Sequence, residues 1–478
     1  MSLEENGEVK ASVPIANGAQ VDNDQEIQLK THSRELAEKA DGMESNNASV
    51  EEPQSMEYDL ANPLNWSTWK KIVNMGIPSI LCFVAAFGSS IYAPAIPDVM
   101  LDFHVSDTIA TLSLTTYVLG LSFGPMLSAP ISEMFGRLGT YRVAPPIGAI
   151  FTLAAGFSPN ITTLCILRFF AGFFGGPSLS VCAGTSADLF LPKDRAVAGT
   201  FMLYFPFLGP VFGPVVGGYV TQHNGWEWSQ YSLAIIIIAT YLPVFFLGET
   251  YLKVQEAAAA AAPKPPASTL LLGVVFITLL RPVKMLLTEP IVGFLSLYVA
   301  FNFAVIFTFF NSVPYVFGSV YHFDRGNTGL VFLSVGLGCT LAVPTIIGLD
   351  RMFYQKEWAL SVRDGKPGVV APEHRLHGAI LGALGLPVGL FCSCLYLIDT
   401  YAALTAASAV AANVLLRYVM GATFPLFTFA MYRKLGIGWA TSILAFLSLV
   451  MLPIPWVLYK WGLQIRAASH FETNKTPL

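Results

Sequence analysis

Long apolar runs, each about the length of a membrane-crossing helix, alternate with short polar stretches from residue 72 to residue 459. A helix needs about 20 mostly apolar residues to cross the hydrocarbon core of a bilayer. The pattern predicts eleven spans, at 72–98, 108–128, 141–159, 162–185, 196–221, 229–248, 290–314, 327–349, 376–397, 400–427 and 437–459. The apolar run 268–280 is too short to cross, and we predict an interfacial helix there.

The composition is typical of an all-α polytopic membrane protein. Hydrophobic residues make up 54% and charged residues 12% of the 478 positions, and that charged share is about half that of a soluble domain. The net charge is −4, which argues against nucleic acid as a partner. No nucleophile–base pair, phosphate loop or metal-ligand spacing is present in the sequence, so we expect no enzyme, no metal and no cofactor.

Charge and composition also divide the chain into segments. Residues 1–69 hold 14 acidic and 4 basic side chains and few aromatics, a composition typical of a disordered arm. Six Ala followed by PKPP mark a central linker,. The predicted segments are an arm at 1–69, a six-helix half at 70–248, a cytoplasmic linker at 249–289, a second half of five recognisable spans at 290–462 and a tail at 463–478.

Lysine and arginine in the connections indicate the orientation, because they concentrate on the cytoplasmic side. Lys70 and Lys71 precede the first span, and the odd-numbered connections of the first eight spans hold only Arg325. We therefore expect a cytoplasmic N terminus. Strict alternation over eleven spans would place Arg433 and Lys434 inside and the tail outside, which charge counting alone does not decide.

Three motifs and a weak repeat stand out from the apolar background. The repeat relates YAPAIPDVMLDFHVSDT to SVPYVFGSVYHFDRGNTG, an arrangement typical of transporters built from two halves. SEMFGR, with Glu133 and Arg137, forms a tight loop between the second and third spans. Arg168 lies inside the fourth span, where a charge is costly and usually functional. GPVFGPVVGG at 209–218 allows close helix packing in the fifth span.

With these motifs the chain resembles the major facilitator superfamily, and within it the fungal drug:proton antiporters. The resemblance covers about residues 60–466 and includes NPLNWSTWKK (62–71), SADLF (186–190), WEW (226–228), RPVKMLLTEP (281–290), PEHRL (372–376), LRYVMGATFPLF (416–427) and IPWVLYKWG (454–462). It implies two helical halves in a lipid bilayer and proton-coupled export of hydrophobic small molecules, either drugs or secondary metabolites, by alternating access. We expect a monomer in the plasma membrane, with the vacuolar membrane as the alternative.

Carried over by position, the resemblance implies roles for the motif residues. Arg168 would take part in proton coupling, and Glu133 with Arg137 would form a latch that holds one conformation. The residues that would form the antiporter seam of the fifth span are Gly209, Pro210, Gly213, Pro214, Gly217 and Gly218.

Polar and aromatic residues on the central spans predict the wall of a substrate cavity. The candidates are Ser89, Tyr92, Tyr117, Tyr204, Asn302, Phe303, Phe310, Asn311 and Arg417. A wall rich in Phe and poor in charge suits flat hydrophobic molecules. Arg417 is a second buried cation, which would face an anionic substrate or a helix end.

Two departures from the family pattern keep other functions open. Many relatives have a carboxylate near the position of Asn311, and its absence weakens the case for a polyamine substrate. Relatives also have twelve spans, whereas one span near residue 394 is missing here. The alternatives are an inactive or sensor-type transporter paralogue and an importer of a small polar nutrient.

Overall fold

The computed structural model describes residues 62–191, 194–251, 280–363, 370–382, 393, 396–397, 400–401 and 403–469. In the first half the helices are α1 (Thr68–Ser90), α2 (Ile96–Asp102), α3 (Asp107–Phe135), α4 (Arg137–Ala155), α5 (Ile161–Gly175), α6 (Pro177–Leu189), α7 (Arg195–Asn224) and α8 (Glu227–Tyr241). In the second half they are α9 (Pro290–Tyr321), α10 (Arg325–Val331), α11 (Leu333–Leu349), α12 (Gln355–Arg363), α13 (Leu376–Gly382), α14 (Ala403–Met451) and α15 (Pro453–Ala467). Most of the predicted arm, the predicted interfacial helix and the end of the tail lie outside the described residues.

Eight helical segments in this part of the chain are long and apolar enough to cross a membrane, which confirms the all-α polytopic class. They are Thr68–Asp102, Asp107–Phe135, Ile161–Leu189, Val197–Asn224, Glu227–Phe246, Pro290–Tyr321, Arg325–Arg363 and Ser408–Ala467. The last is 60 residues long, enough for two crossings, and Gly436 (φ 75°) breaks the helix inside it. The predicted third span overlaps α4, which is not among the eight, and most of the predicted ninth span lies outside the described residues.

Side chains at the helix starts explain several of the observed boundaries. Ser106, Asn160 and Asp324 each accept a hydrogen bond from the backbone N–H three residues later, which satisfies one of the N–H groups left free at a helix N terminus. Gly136, with φ 92°, ends α3 and begins the turn into α4. A left-handed backbone of this kind favours glycine.

The bundle has two ends, which we name the linker face and the distal face. Asn74, Gly248 and Glu289 define the linker face: Gly248 N donates to Asn74 Oδ1 over 2.8 Å, and Glu289 precedes α9. Asp98 and Asp107 define the distal face, at the opposite ends of the first two spans. By the distribution of basic residues, the linker face is the one expected to be cytoplasmic.

The direction of α14 follows from its contacts with α9. Asn413 Nδ2 lies 3.4 Å from Ser296 Oγ near the start of α9, and Asn311 Nδ2 donates to Pro425 O over 2.8 Å further along. The part of α14 before Gly436 is therefore parallel to α9, and both run from the linker face to the distal face. Arg433 follows on α14 and forms a 2.9 Å ion pair with Asp107 of the distal face.

After Gly436, the remainder of α14 and then α15 return to the linker face. Arg466 Nη2 donates to Glu373 Oε2 over 2.7 Å, and Ser469 Oγ donates to Glu289 Oε2 over 2.6 Å. The last described residue thus lies at the face where α1 begins. The strict alternation that would carry Arg433 and Lys434 to the linker face is wrong.

The described residues on either side of the stretch between α13 and α14 lie at one face. Glu373, just before α13, pairs with Arg466 at the linker face, and the Tyr401 hydroxyl lies 3.5 Å from Glu289 Oε2 at the same face. The predicted ninth span, 376–397, lies mostly outside the described residues between these two positions.

We expect both chain ends to lie on one side of the membrane. Residues 470–478 are too few to cross, since a crossing needs about 20 residues. Epitope tags at residues 1 and 478 should both stay hidden in intact cells and both react after permeabilisation. A tag inserted after Pro159, in the distal connection between α4 and α5, should react in intact cells. A C-terminal tag that reacts without permeabilisation would contradict this arrangement.

Candidate functional site

The two halves meet where α3 packs along α14 and where α7 packs along α10 and α11. Thr115 Oγ1 on α3 donates to Ala422 O on α14 over 2.8 Å. Tyr204, a predicted cavity residue on α7, forms a 3.1 Å hydrogen bond between its hydroxyl and Thr340 Oγ1 on α11. Side chains thus bond the halves directly along both helix pairs.

Arg168 is fully buried inside the first half. Its Nε donates to Ser113 O over 3.1 Å, its Nη1 to Gln230 Oε1 over 3.0 Å and its Nη2 to Gly88 O over 3.1 Å. These acceptors lie on α3, α8 and α1, so the guanidinium joins three helices to α5. All three acceptors are neutral, and no ion pair to Arg168 is present in the described part of the chain.

Two predicted cavity tyrosines complete the surroundings of Arg168. Its guanidinium carbon lies 4.8 Å from the centre of the Tyr92 ring and 4.6 Å from that of Tyr117, within cation–π range. The two hydroxyls donate to backbone carbonyls of neighbouring helices over 3.1 and 3.0 Å, and Ser89 Oγ donates to its own helix. All three residues are buried, so they pack within the first half and line no open cavity in this conformation.

Arg417 is the corresponding buried cation of the second half, 8% exposed on α14. Its guanidinium carbon lies 5.0 Å from the ring centre of Phe303 and 4.9 Å from that of Tyr418. Its Nε is buried without a hydrogen-bond partner. The structure thus places the predicted residues Phe303 and Arg417 together.

The remaining predicted cavity residues lie on α9 and are closely packed. The ring centres of Phe307 and Phe310 are 5.0 Å apart, and those of Phe310 and Phe332 are 5.6 Å apart. The cavity that Phe303 and Phe310 help to line has only about 10 Å³, about the smallest volume that holds one water. Asn302 is 3% and Asn311 1% exposed. Among the described residues, the side chains around Phe303 and Phe310 therefore leave no space for a substrate in this conformation.

A larger cavity of about 770 Å³ opens at the linker face between α1, α7 and the turn after α11. Its volume is in the range of small-molecule sites. No sequence pattern predicted this cavity, although residues three and four apart on α1 share one face. The lining residues are Ile72, Met75, Gly76, Ser79, Phe190, Asp194, Val197, Ala198, Phe201, Phe205, Asp350, Arg351 and Gln355.

Two ion pairs connect the halves at the distal face. Arg325 at the start of α10 binds both oxygens of Asp98 on α2, at 2.5 and 2.7 Å, and Arg433 on α14 binds Asp107 on α3. A cavity of about 360 Å³ lies between these pairs. We name Asp98, Arg325, Asp107 and Arg433 the distal latch. In the sequence, Arg325 and Arg433 stand out only as charges in connections, and nothing there pairs them with Asp98 and Asp107.

Arg137 is held at the linker face by residues of α3 and α6 and by Glu249, which follows α8. Its Nη1 donates to Ser132 Oγ over 2.8 Å, and its Nε pairs with Asp188 Oδ2 at the end of α6 over 3.2 Å. Its backbone N–H donates to Glu249 Oε1 over 2.9 Å. A carboxylate at the N terminus of α4 also faces the positive end of the helix dipole.

Glu133 is half-buried and forms no ion pair with Arg137 in the described residues. The carboxylates that contact the loop are Asp188 and Glu249. Both lie far along the chain from SEMFGR, so the motif alone could not identify them. The latch role of Glu133 and Arg137 stays a prediction.

The predicted seam residues on α7 lie against two different helices. A side-chain carbon at Gly209, Gly213 or Gly217 would come within 2.5, 1.9 and 2.2 Å of atoms of α1 or the residue that follows it. A side-chain carbon at Gly218 would lie 2.5 Å from Arg325 O, and Pro214 O lies against Gly329 on α10. Pro210 helps to line the closed central cavity. The seam thus packs within the first half and also between the halves.

Replacing Gly217 by alanine should destabilise the protein. The new methyl group would lie 2.2 Å from the backbone oxygen of Ile91, and overpacking of this kind costs about 1–3 kcal/mol. Gly338→Ala on α11 is the matched control, because nothing lies within 4 Å of its added carbon and alanine favours the helix. Thermal unfolding of the purified variants should show a lower midpoint for Gly217→Ala alone. Equal midpoints would contradict the close packing.

Residues that commonly bind metals or form disulfides are scattered in the described part of the chain. Within the described ranges, no group of three or more His, Cys, Asp and Glu residues is placed to hold a metal ion. Cys82, Cys165, Cys182 and Cys339 are free thiols, and the other two cysteines lie outside the described residues.

Two linked helical halves, with a cavity between them at one face and ion pairs between them at the other, define a polytopic membrane transporter. Residues 79–458 match the family model of the Major Facilitator Superfamily, and the chain belongs to that superfamily. The solved structure of the proton:xylose symporter XylE bound to 6-bromo-6-deoxy-D-glucose shares the fold, with a TM-score of 0.60, 14% identity and coverage of 83% of this chain and 96% of that one.

Two fungal relatives cover most of the chain. Polyamine transporter 4 of Saccharomyces cerevisiae is 34% identical over 88% of this chain and 73% of its own length. Efflux pump radE of Floropilus chiversii is 34% identical over 87% of this chain and 85% of its own length. These similarities are to transporters and not to enzymes.

Proposed function

We propose that the protein exports hydrophobic small molecules in exchange for protons by alternating access. The main observation behind this proposal is that the cavity of about 770 Å³ opens at the linker face while the distal latch holds the halves together. A substrate would reach the bundle from the linker side and leave after the distal pairs separate. The proposal includes a cytoplasmic linker face and N terminus, a monomeric protein and the plasma membrane, with the vacuolar membrane as the alternative.

The wall of the linker-face cavity supports a hydrophobic substrate. It is formed mostly by apolar side chains, including Ile72, Met75, Phe201 and Phe205. Such a wall gives a polar nutrient few hydrogen-bonding groups. The similarity to efflux pump radE supports the outward direction.

The distribution of buried charge argues against a polyamine, despite the similarity to polyamine transporter 4. The buried carboxylates of the described residues are Glu289, Asp350 and Glu373. All three lie toward the linker face and have polar or cationic neighbours. The buried charges further inside are Arg168 and Arg417, which would repel a polycation.

Accumulation of a neutral fluorescent probe tests the proposal. Yeast cells that lack their own exporters and express this chain should accumulate less Nile red than cells with an empty vector. A protonophore should abolish the difference, because it collapses the proton gradient. The same cells should accumulate spermidine normally. Unchanged accumulation across a broad panel of apolar compounds would count against export.

An inactive or sensor-type paralogue is the second candidate. The observation that favours it is that Glu373 and Tyr401, on either side of the stretch between α13 and α14, both lie at the linker face. This alternative predicts that the purified protein binds apolar compounds, whereas proteoliposomes show neither proton-driven transport nor exchange. An importer predicts substrate-dependent growth instead.

A further inference from the structure

Arg417 has an unusual environment for a buried arginine. It lies midway between Ala403 and Arg433 on α14 and is 8% exposed. Its contacts in the structure are with the faces of Phe303 and Tyr418, and its Nε has no hydrogen-bond partner. Ring contacts compensate only in part for taking a guanidinium out of water.

The other buried arginines show what a satisfied guanidinium looks like in this protein. Each binds oxygen atoms: Arg137 those of Ser132 and Asp188, Arg168 those of Ser113, Gln230 and Gly88, Arg375 that of Asp350, and Arg466 that of Glu373. Among the buried arginines of the described ranges, Arg417 alone has no oxygen bound to its side chain. Its hydrogen-bonding capacity is thus available to a ligand.

The two rings that contact this cation belong to an aromatic cluster with members from both halves. The Phe303 ring centre lies 5.1 Å from that of Tyr418 and 4.8 Å from that of Phe307. Phe207 of the first half lies 6.2 Å from Phe303, edge to face. A flat ring inserted between these side chains would contact aromatic faces, and an acidic group on it would reach Arg417.

We propose that Arg417, with Phe207, Phe303, Phe307 and Tyr418, binds aromatic organic anions through their carboxylate. This inference deepens the proposed function and rests on it, since it names the substrate class of the exporter. The guanidinium offers two parallel N–H groups to a carboxylate. Because the adjacent cavity has only about 10 Å³, the halves must separate around Phe207 and Phe303 to admit the ring. Binding is thereby coupled to the conformational change.

Equilibrium binding to the purified full chain tests the site. The probes are 1-naphthoate and methyl 1-naphthoate, which differ in charge but share the ring. At pH 7.5 the carboxylate is ionised, and the wild type should bind it about tenfold more tightly than the ester, as a charge-assisted pair predicts. Arg417→Gln should remove this preference and leave ester binding within about twofold.

Three further variants separate the charge from the ring contacts and from folding. Arg417→Lys keeps the charge without the planar fork, so it should keep part of the preference for the acid. Phe303→Leu should weaken the acid and the ester equally. Arg142→Gln removes an exposed arginine and should change neither affinity. Because Arg417→Lys and Phe303→Leu retain charge or apolar volume, they test the site even where Arg417→Gln folds poorly.

Each remaining outcome decides between the two proposals. Equal wild-type affinity for the acid and the ester, or an acid preference that survives Arg417→Gln, overturns the site. If spermidine competes with the bound ester and 1-naphthoate does not, the site favours polycations and the proposed anion site is overturned. Export of Nile red without an acid preference leaves the proposed function standing and removes this inference. A preference for the acid that depends on Arg417, found without proton-driven transport, supports this inference and contradicts the proposed function.

Discussion

Arg168→Lys should abolish proton-driven transport in proteoliposomes while substrate exchange without a proton gradient persists. Arg168 makes three hydrogen bonds, to α1, α3 and α8. Lysine keeps the positive charge, but its single ammonium cannot reproduce the planar arrangement of donors. Each acceptor left unpaired in the interior costs about 1–3 kcal/mol. Because the proton-coupling role predicted for Arg168 depends on this donor geometry, we expect a loss of about 100-fold or more in the driven rate.

Comparing driven transport with exchange separates coupling from folding. Exchange of labelled for unlabelled substrate needs binding and movement of the halves, but no net proton transfer. If Arg168 served only to join helices, both rates would fall together, and the proton-coupling role would be excluded. Arg142→Lys is the matched control, because Arg142 is exposed. Its driven rate should equal that of the wild type.

The environment of Arg168 shows how far sequence alone could define this site. An arginine inside an apolar run is visible in the sequence, and its burial cost predicts a functional or structural role. Two of its three acceptors are the backbone carbonyls of Ser113 and Gly88. Every residue has such a carbonyl, so no sequence pattern could identify these two.

Most of the spans were predictable, whereas their ends and directions were not. The run 108–128 predicted a span, but α3 covers Asp107–Phe135, because a helix continues beyond the bilayer core until Gly136 turns the chain. The run 376–397 has the length of a span, yet its flanks contact Arg466 and Glu289 at one face. The length of an apolar run shows whether the segment could cross the bilayer, but it does not show at which face each end lies.

The distal latch was beyond sequence analysis for a related reason. Asp98 and Arg325 are 227 positions apart, and each reads as an ordinary loop charge. Only the packing of the two halves brings them together. The weak internal repeat did include Asp98 and Arg325, so it identified the segments that meet without identifying the contact.

Removing the carboxylates of the distal latch should open the distal face. Asp98→Asn with Asp107→Asn deletes both ion pairs between the halves there. Exposed pairs contribute up to about 1 kcal/mol each, and a bidentate pair contributes more. Together they bias the conformational equilibrium by about 1–3 kcal/mol, or about 5–150-fold. The double variant should populate the state open to the distal side by that factor.

Labelling by a membrane-impermeant thiol reagent measures this shift. Gly318→Cys, in a chain whose six natural cysteines are replaced by alanine, places a thiol beside the cavity of about 360 Å³ between the pairs. Nothing lies within 4 Å of an added carbon there, so the cysteine itself should not disturb packing. Reagent added outside should label the latch variant faster than the parent chain. High salt should also speed labelling of the parent, because Arg325 is 36% exposed and screening weakens such pairs.

Two further variants show whether pairing, rather than charge alone, closes the distal face. Asp102→Asn removes a neighbouring carboxylate that accepts from Trp226 Nε1 over 2.9 Å within the first half. It should leave the labelling rate unchanged, because it does not connect the halves. Exchanging the charges by Asp98→Arg with Arg325→Asp forms the ion pair again with its charges reversed. This variant should therefore be labelled as slowly as the parent chain. If Asp102→Asn speeds labelling as much as the latch variant does, or if the charge-exchanged variant is labelled fast, the effect comes from net charge. Either result would contradict the proposed role of the distal latch.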